Sequence, residues 1–399
     1  MPEIRDPRPA EGLRPVINVS GTMTSLGASM VVPEAIRAVR EFLPHFVEMA
    51  DLQRKASAVI AGATGGEAGV VTASASAGVS QTVAALMVGT DLAAAERLPD
   101  VSGLPRDEVI MQLGHLVNYG APIDQSVRLT GARLRLCGTA TETGEYQLAG
   151  SLTDRTAAGL YVVSHHVVNY GQLSLPAFAR VCHSRGVPVI VDAASEYDLR
   201  GFLAAGADVA IYSGHKFLGG PTAGIVAGPR EIIRAVYLQS HALGRGMKVG
   251  KEGVIGVMAA LRAWKNRDHA DVRARENGYL ELWRGRLSGL PGLTPVICPD
   301  PTGNPLSRLR VRVDPDRAGI TAWDLADRLA GGDPPVIVRD HEVELGYFFL
   351  DPCNLHPGEE RLVADRIGEE CARAASEPVR SCLDERNRRR TEAMLRWPD

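Results

Sequence analysis

Short apolar runs separated by helix-like segments fill the middle of the chain. They have the length of strands, are rich in Val and Ile, and lie at 69–73, 108–112, 133–138, 158–164, 187–195 and 208–213. Continuous rather than alternating apolar runs are typical of a parallel sheet that helices cover on both faces. Glycines stand where the intervening helices would end. The pattern therefore predicts a doubly wound α/β domain with a mostly parallel sheet.

From about residue 265 the pattern changes. A charged helix-like segment precedes residues 308–314, in which apolar and polar residues alternate as in a half-exposed strand. Further apolar runs follow, and together they predict a smaller α+β C-terminal domain. The predicted division is an N-terminal segment that packs on the small domain, a large α/β domain and the small domain, at residues 1–60, 61–265 and 266–399.

Composition and charge narrow the function classes. The 44 basic and 47 acidic residues give a net charge of −3, so neither nucleic acid nor an anionic membrane surface is expected as a partner. No apolar run is long enough to cross a bilayer, and the start of the chain lacks the apolar core of a signal peptide. Six scattered cysteines without a CxxC pair favour the reducing cytoplasm. The basic C-terminal segment is interpreted as a solvated helix.

Two charged residues follow predicted strands. Lys216 stands in the glycine-rich segment SGHKFLGG after one apolar run, and Asp192 ends the otherwise apolar run VPVIVD. In doubly wound sheets ligands gather at the carboxyl ends of the strands. A buried carboxylate there needs a partner. Asp192 is therefore either the N-cap of the next helix or the counter-ion of a cationic ligand nitrogen.

Two further segments extend this candidate site. The sequence VTASASAGVSQTVAAL places small residues at a helix start, which suits a phosphate monoester or, alternatively, tight helix–sheet packing. It is neither a dinucleotide nor a triphosphate fingerprint. His115 follows another strand and is either structural or able to stack on a planar ring. Together an amine, a carboxylate, a phosphate cradle and an aromatic face predict pyridoxal 5′-phosphate (PLP), with Lys216 as its Schiff-base lysine.

Residues 15–365 resemble the fold-type-I PLP enzymes, and more narrowly the group that contains selenocysteine synthase and D-glucosaminate-6-phosphate ammonia-lyase. The resemblance rests on PVINVSGTMTSLGAS, HFVEMADLQRKAS, EVIMQLGHLVNYGAPIDQSVRLTGARL, VPVIVDAASE, AGADVAIYSGHKFLGGPTAGIVAG, MKVGKEGVIGVMAAL and PPVIVRD. The segments EMADLQRKAS and MKVGKE favour the ammonia-lyase branch. Selenocysteine synthases carry an additional N-terminal tRNA-binding domain, whereas only about 16 residues precede INVSGT here. Transfer-RNA substrates are therefore not expected.

The resemblance implies the aminotransferase fold type I and a set of cofactor-binding residues. Lys216 would be the Schiff-base lysine, and Asp192 would be the partner of the pyridinium nitrogen. The methyl group of Ala194 and the imidazole of His115 would pack against the two faces of the ring. The residues implied to hold the phosphate are Ser76, Ala77, Gly78 and Ser213.

The resemblance also concerns the substrate and a neighbouring subunit. It makes Arg339, in PPVIVRD, the expected ligand of a substrate carboxylate, because a guanidinium binds carboxylate through two parallel hydrogen bonds. Arg312 competes for this role but is expected to face solvent. Residues implied at a subunit interface, or else as surface charge, are Arg245, Lys248 and Lys251. An active site between subunits implies a homodimer or a higher homo-oligomer.

The histidines leave the reaction open. His215 either assists proton transfer next to Lys216 or packs, and His166, in the pair His165-His166, is predicted to bind substrate. No metal site is predicted. The predicted reaction is β-elimination from a polar amino acid to a 2-oxo acid and ammonia, with Lys216, Asp192, His115 and His215 as the catalytic residues. The alternatives are a racemase or epimerase, an aldolase using the same cofactor, and a PLP-free scaffold or regulatory protein.

Overall fold

The structure is a computed structural model and describes residues 6–398. Its strands are β1 (Ile17–Val19), β2 (Ala68–Thr72), β3 (Glu108–Gln112), β4 (Arg133–Cys137), β5 (Thr156–Val162), β6 (Val189–Asp192), β7 (Val209–Ser213), β8 (Gly224–Gly228), β9 (Leu293–Pro299), β10 (Ser307–Val313), β11 (Val336–Val338) and β12 (Tyr347–Leu350). Its helices are α1 (Pro33–Phe42), α2 (Met49–Thr64), α3 (Ala75–Val88), α4 (Leu92–Arg97), α5 (Ile123–Arg128), α6 (Glu145–Ser151), α7 (Leu175–His183), α8 (Gly201–Ala204), α9 (Arg230–Leu238), α10 (Lys251–Asn266), α11 (His269–Leu287), α12 (Pro315–Ala318), α13 (Ala322–Gly331), α14 (Glu359–Ser376) and α15 (Leu383–Leu395). Within this described range no helix is both long and apolar enough to span a bilayer.

The larger of two compact units contains residues 30–267 and 301–304. Its seven-stranded sheet has the order β2-β8-β7-β6-β5-β3-β4. Only β8 runs antiparallel to its neighbours, and the remaining pairs are parallel. The central strands are buried along nearly their whole length, because helices cover both faces. The prediction of a doubly wound, mostly parallel sheet is confirmed.

The register of this sheet sets the position of Asp192. It is the last residue of β6 and lies opposite Val162 on β5 and Ile211 on β7. The carboxyl ends of these three parallel strands therefore meet at one edge of the sheet. Segments that leave this edge carry the candidate residues predicted from the sequence.

The smaller unit contains the described residues up to Ser29, residues 268–300 and the chain from Pro305 onwards. Strand β1 pairs in parallel with β11, and β12-β10-β9 form an antiparallel sheet. Backbone hydrogen bonds between Arg339 and Phe349 link the end of β11 to β12. Trp283 of α11 and Phe348 of β12 are fully buried in its core. The predicted α+β architecture of this part is confirmed.

The structure places residues 30–60 differently from the prediction. They belong to the larger unit, where α1 packs on α10 and α2 packs on β2. The amide of Gln53 on α2 hydrogen-bonds both backbone groups of Val71 on β2, at 2.8 and 3.0 Å. Of the described residues in the predicted segment 1–60, only 6–29 belong to the smaller unit. The short strand β1 explains this part, because its partner β11 lies in that unit.

The basic C-terminal segment forms α15, and most of its side chains are exposed as predicted. Arg386 is an exception with only 2% of its surface exposed. Its guanidinium donates to both carboxylate oxygens of Asp327, at 2.8 to 2.9 Å, and to Asp340 at 2.7 Å. Part of the basic character of this segment therefore serves internal ion pairs that dock α15.

Candidate active site

Lys216 lies just beyond the carboxyl end of β7, and Asp192 is the last residue of the neighbouring strand β6. Asp192 is 9% exposed, and its Oδ1 accepts the backbone N–H of Ala194 at 3.2 Å. Burial raises the pKa of Asp192, and the positive charge of Lys216 opposes this shift only in part. Lys216 is the basic residue whose charge acts on this carboxylate. The structure thus brings the two predicted residues together around an incompletely compensated negative charge.

A tight glycine loop carries Lys216. The N–H of Gly214 donates to Ala223 O, and that of Gly220 donates to Gly214 O, each at 2.8 Å. Gly219 has a φ of +65° and donates its N–H to Lys216 O at 2.9 Å. A Cβ on Gly220 would lie 2.9 Å from Gly214 O. The glycines therefore let the chain close on itself directly after the lysine.

The predicted phosphate-binding residues of this segment lie at the N-terminus of α3, where the backbone N–H donors are not equally available. The N–H of Ala77 donates to the Ser74 hydroxyl at 3.0 Å, and the N–H of Gly78 donates to Ser74 O at 2.9 Å. The N–H groups of Ala75 and Ser76 have no acceptor among the described residues. Of the three predicted residues, only Ser76 therefore offers a backbone donor that the helix does not already use.

Gly78 has a packing role. A Cβ at this position would lie 3.0 Å from Val226 Cγ2 and 3.2 Å from Ile211 Cγ2. Its absence lets α3 approach β7 and β8 closely. For Gly78 the structure thus supports the alternative of tight helix–sheet packing that the small-residue pattern left open.

The Ser76 hydroxyl belongs to a polar cluster that the sequence interpretation missed. It lies 2.7 Å from the Ser126 hydroxyl, and the Tyr119 hydroxyl lies 3.1 Å from both. These side chains come from α3, α5 and the loop after β3. They supply hydroxyl groups beside the unused N–H donors of α3. The only sequence signal was their place in a segment that carries the family resemblance.

His115 does not have the properties predicted for a catalytic acid or base. It is 2% exposed, and its Nδ1 accepts the backbone N–H of Val162 at 3.1 Å. Its ring meets Tyr161 edge-on, with the centroids 4.5 Å apart. Burial lowers the pKa of His115 to about 4, so the imidazole is neutral near pH 7. The hydrogen bond from β5 fixes the ring, which favours an orienting role over proton transfer.

A cavity of about 340 Å³ adjoins His115 and the end of β5. Its polar lining includes Tyr161, Ser164, Asn169, Gln172 and Thr302. The backbone N–H of His166 donates to the Ser164 hydroxyl at 3.2 Å, so the predicted substrate-binding histidine stands next to this lining. The rings of His165 and His166 lie with their centroids 3.9 Å apart.

His215 and Ser213 flank the lysine loop. Burial lowers the pKa of His215, and the charge of Lys216 lowers it further. A neutral imidazole next to Lys216 is compatible with the predicted proton transfer. The buried Ser213 ends β7 and donates its N–H to Ala194 O at 3.1 Å. This bond positions Ala194 relative to the strand end.

The predicted substrate ligand Arg339 lies in the smaller unit and is described with that unit alone. It is 6% exposed, and its Nε has no hydrogen-bond partner. Burial and the charge of Arg308 lower the pKa of Arg339 to about 10, so it remains protonated at neutral pH. Arg312 is exposed, as predicted.

The larger unit fits PLP. It supplies a lysine amine, a helix N-terminus with unused N–H donors, and a buried carboxylate. Because burial raises the pKa of this carboxylate, a cationic partner would stabilise its ionised form. These are the groups that would meet the aldehyde, the pyridine nitrogen and the phosphate of the cofactor.

The chain is similar to known proteins over most of its length. The family model for L-seryl-tRNA selenium transferase matches residues 16–275. D-glucosaminate-6-phosphate ammonia lyase of Salmonella typhimurium is 38% identical over 91% of this chain and 97% of its own length. The 5′-C-glycyluridine monooxygenase-decarboxylase of a Streptomyces species is 36% identical over 90% of both chains.

Solved structures are also similar to this chain. A structure of D-glucosaminate-6-phosphate ammonia-lyase superposes with a TM-score of 0.84 and 37% identity, covering 94% of this chain and 100% of its own. A more distant structure, SPT with PLP, covers 91% of this chain and 88% of its own, with a TM-score of 0.56 at 15% identity. The latter supports the fold alone, and the predicted fold type I is confirmed.

Proposed function

Since the chain belongs to the L-seryl-tRNA selenium transferase family, we propose that it removes ammonia from a polar amino acid that carries a hydroxyl group on Cβ. The chain is a PLP-dependent enzyme of the lyase type that acts on a small molecule. The proposal is carried by the pairing of Lys216 with the buried Asp192 in a chain that matches an ammonia lyase over almost its full length.

Bound PLP withdraws electrons from the α-carbon of the substrate. Asp192 stabilises positive charge on the ring nitrogen, because a buried carboxylate with a raised pKa gains most from a cationic partner. The amine of Lys216 holds the cofactor and then accepts the proton from the substrate α-carbon. The neutral imidazole of His215 exchanges protons near that amine.

The remaining site residues bind and orient. The unused N–H groups of Ala75 and Ser76, with the Ser76 hydroxyl, would hold the phosphate. A phosphate at Ala77 would have to replace the Ser74 cap. Ser213, whose N–H donates to Ala194 O, would help to bind the phosphate. Ala194 would pack against one face of the cofactor ring, and His115 would pack against the other face.

Arg339 would bind the substrate carboxylate through its guanidinium, and His166 would contact the polar chain of the substrate. In the net reaction the α-proton and the Cβ hydroxyl leave as water. A water molecule then releases the nitrogen as ammonia and leaves a 2-oxo acid. Atoms balance without an oxidant or a second substrate.

Product analysis in deuterium oxide tests this proposal. The purified enzyme is incubated with D-glucosaminate 6-phosphate and with other β-hydroxy amino acids. Ammonia and a 2-oxo acid in equal amounts support elimination. An α-deuterated amino acid indicates a racemase or epimerase, a released aldehyde indicates an aldolase, and oxygen uptake with carbon dioxide release indicates a monooxygenase-decarboxylase. A protein that binds no PLP would be a scaffold.

Lys216→Ala is the matching variant, with Lys265→Ala at an exposed position as its control. Reduction with borohydride and mass spectrometry should show covalent PLP in the control but not in Lys216→Ala. Turnover should fall by about 10³-fold or more only in Lys216→Ala. Normal turnover by that variant would contradict the assigned role.

We further propose that the enzyme is a cytoplasmic homodimer or higher homo-oligomer. All six cysteines are free, which suits a reducing compartment. Arg245 and Lys248 are exposed in the segment that the resemblance assigns to a subunit interface. The exposed apolar side chains of Ile36, Leu43 and Phe46 add surface that a second copy would cover. Light scattering of the purified enzyme measures the subunit number, and a monomer would contradict this proposal.

A further inference from the structure

Two arginines of the smaller unit, Arg308 and Arg339, are both buried but differ in their charge partners. Arg308, on β10, donates its Nε to Asp351 Oδ2 at 2.7 Å and forms a second ion pair with Asp300. Arg339, after β11, forms no ion pair within residues 6–398, and its Nε lacks any hydrogen-bond partner. Burying an unpaired guanidinium is unfavourable, so an anionic ligand would stabilise Arg339.

The two aspartates that act on Arg339 already have other partners. The charges of Asp351 and Asp300 both reach its guanidinium, and so does the opposing charge of Arg308. Asp351 is 1% exposed, and its Oδ1 accepts the N–H of Cys353 at 3.0 Å while its Oδ2 accepts from Arg308. Both oxygens of this nearby carboxylate therefore point to groups other than Arg339.

The pKa shifts in this cluster agree with the geometry. Burial alone would raise the pKa of Asp351, but Arg308 and the Cys353 N–H hold that pKa below its ordinary value. Burial alone would lower the pKa of Arg308, but the charges of Asp351 and Asp300 raise it above the ordinary value of an arginine. Glu342 also acts on Arg339 through its charge, but it forms no ion pair with it among the described residues.

We propose that Arg308 is a positioning residue which, by holding Asp300 and Asp351, keeps the guanidinium of Arg339 available for the substrate carboxylate. This inference rests on the proposed function, in which Arg339 binds that carboxylate. Without Arg308, Asp300 and Asp351 would both lose this guanidinium, while their charges would still act on Arg339. Arg339 would turn towards them and lose its geometry for a ligand.

The test measures binding rather than turnover. Holoenzyme is titrated with D-serine, L-serine and ethanolamine, and the change in the visible absorbance of bound PLP gives the apparent Kd. Ethanolamine equals serine without its carboxylate, so the ratio of the two Kd values reports carboxylate recognition. The variants are Arg308→Gln, Arg339→Gln and the triple variant Arg308→Gln/Asp300→Asn/Asp351→Asn. Arg310→Gln, on the same strand but outside these ion pairs, is the matched control.

For the wild type and Arg310→Gln we expect serine to bind about 10-fold or more tightly than ethanolamine. Arg308→Gln and Arg339→Gln should both bring this ratio close to one. The triple variant should regain most of the preference, because it removes the carboxylates that would capture Arg339. Thermal unfolding checks that each variant is folded.

The inference is overturned if Arg308→Gln keeps the serine preference, or if the folded triple variant binds serine as poorly as Arg308→Gln. The second outcome would mean that Arg308 only stabilises the strand. A wild type that releases ammonia but shows no carboxylate preference overturns this inference and leaves the proposed function intact. A wild type with the preference but without elimination overturns the proposed function alone.

Discussion

Two buried aspartates, one in each unit, stand at the ends of strands and have opposite electrostatic surroundings. Asp351 follows β12, accepts a charged hydrogen bond from Arg308 at 2.7 Å, and has a pKa below its ordinary value. Asp192 ends β6, has one backbone donor at 3.2 Å, and has a pKa raised by burial. The chain thus neutralises one carboxylate completely and leaves the other dependent on Lys216 and a ligand.

This difference separates a structural charge from a functional one. A buried carboxylate with its own guanidinium partner stabilises the fold in its ionised form. A buried carboxylate without one lowers stability until a cation binds, and strongly shifted carboxylates of this kind cluster at active sites. Arg339 is the cationic counterpart of Asp192, since it is buried and its Nε has no hydrogen-bond partner among the described residues.

Among the aspartate variants, Asp192→Asn should have the largest effect on turnover. The amide cannot stabilise positive charge on the ring nitrogen, so kcat should fall on the order of 10²- to 10³-fold while PLP stays attached to Lys216. Asp208→Asn is the control, because Asp208 lies in the same unit but pairs with His183 at 2.8 Å. Steady-state kinetics and the cofactor absorbance of both variants decide the matter. An unchanged kcat in Asp192→Asn would contradict the functional role assigned to Asp192.

Asp351→Asn should have the largest effect on stability. It leaves Arg308 buried with one carboxylate fewer, and breaking such a pair costs about 3–5 kcal/mol. Urea denaturation measures the free energy of unfolding. Asp316→Asn, in an exposed ion pair with Arg380, should cost less than about 1 kcal/mol. If both substitutions cost the same, Asp351 is not the structural charge described above.

The two aspartates should also give opposite pH dependences in the cofactor-free protein. The raised pKa of Asp192 means that its contribution to stability is favourable in acid and is lost as pH rises through that pKa. The lowered pKa of Asp351 means that its contribution is present above the unfolded value near 3.8 and is lost as pH falls through the folded pKa.

Urea unfolding of the cofactor-free protein between about pH 7 and pH 3 tests these signs. Relative to wild type, Asp192→Asn should gain stability as pH rises, whereas the deficit of Asp351→Asn should shrink as pH falls. PLP should abolish the gain in Asp192→Asn, because the wild-type carboxylate then has a cationic partner. Parallel pH profiles for the two variants would contradict the assigned difference.

Much of the larger unit could be predicted from the sequence, because its strands are continuous apolar runs. The apolar run at 108–112 coincides with β3. Asp192 and Lys216 could be predicted as site residues because ligands bind at the carboxyl ends of the strands in such sheets. The fold does not determine side-chain hydrogen bonds in the same way. His115 is neutral because it is buried, and its ring is fixed because its Nδ1 accepts from Val162, a backbone group of another strand that sequence spacing does not indicate.

The smaller unit was less predictable for a physical reason. Strand β1 has three residues, too few for a pattern, and its pairing with β11 joins distant parts of the chain. The ion pairs of Arg308 with Asp300 and Asp351 likewise depend on the register of β10 with its neighbours. In the sequence Arg308 is one of several arginines of an alternating strand, and nothing there distinguishes it from Arg312.

The smallest expected effect concerns how firmly Asp351 is held. Gly21 has a φ of +88°, and a Cβ there would lie 2.8 Å from Asp351 Oδ2, whereas Gly27, at +86°, has open space around its Cβ position. Gly27→Ala should therefore cost only about 1 kcal/mol for its backbone conformation. Gly21→Ala should cost roughly 1–3 kcal/mol more, because the methyl group displaces a carboxylate that Arg308 and Cys353 hold. Urea denaturation measures the free energy of unfolding of both variants. Equal costs would show that the Asp351 carboxylate can move aside, which would contradict its being held in place by Arg308 and Cys353.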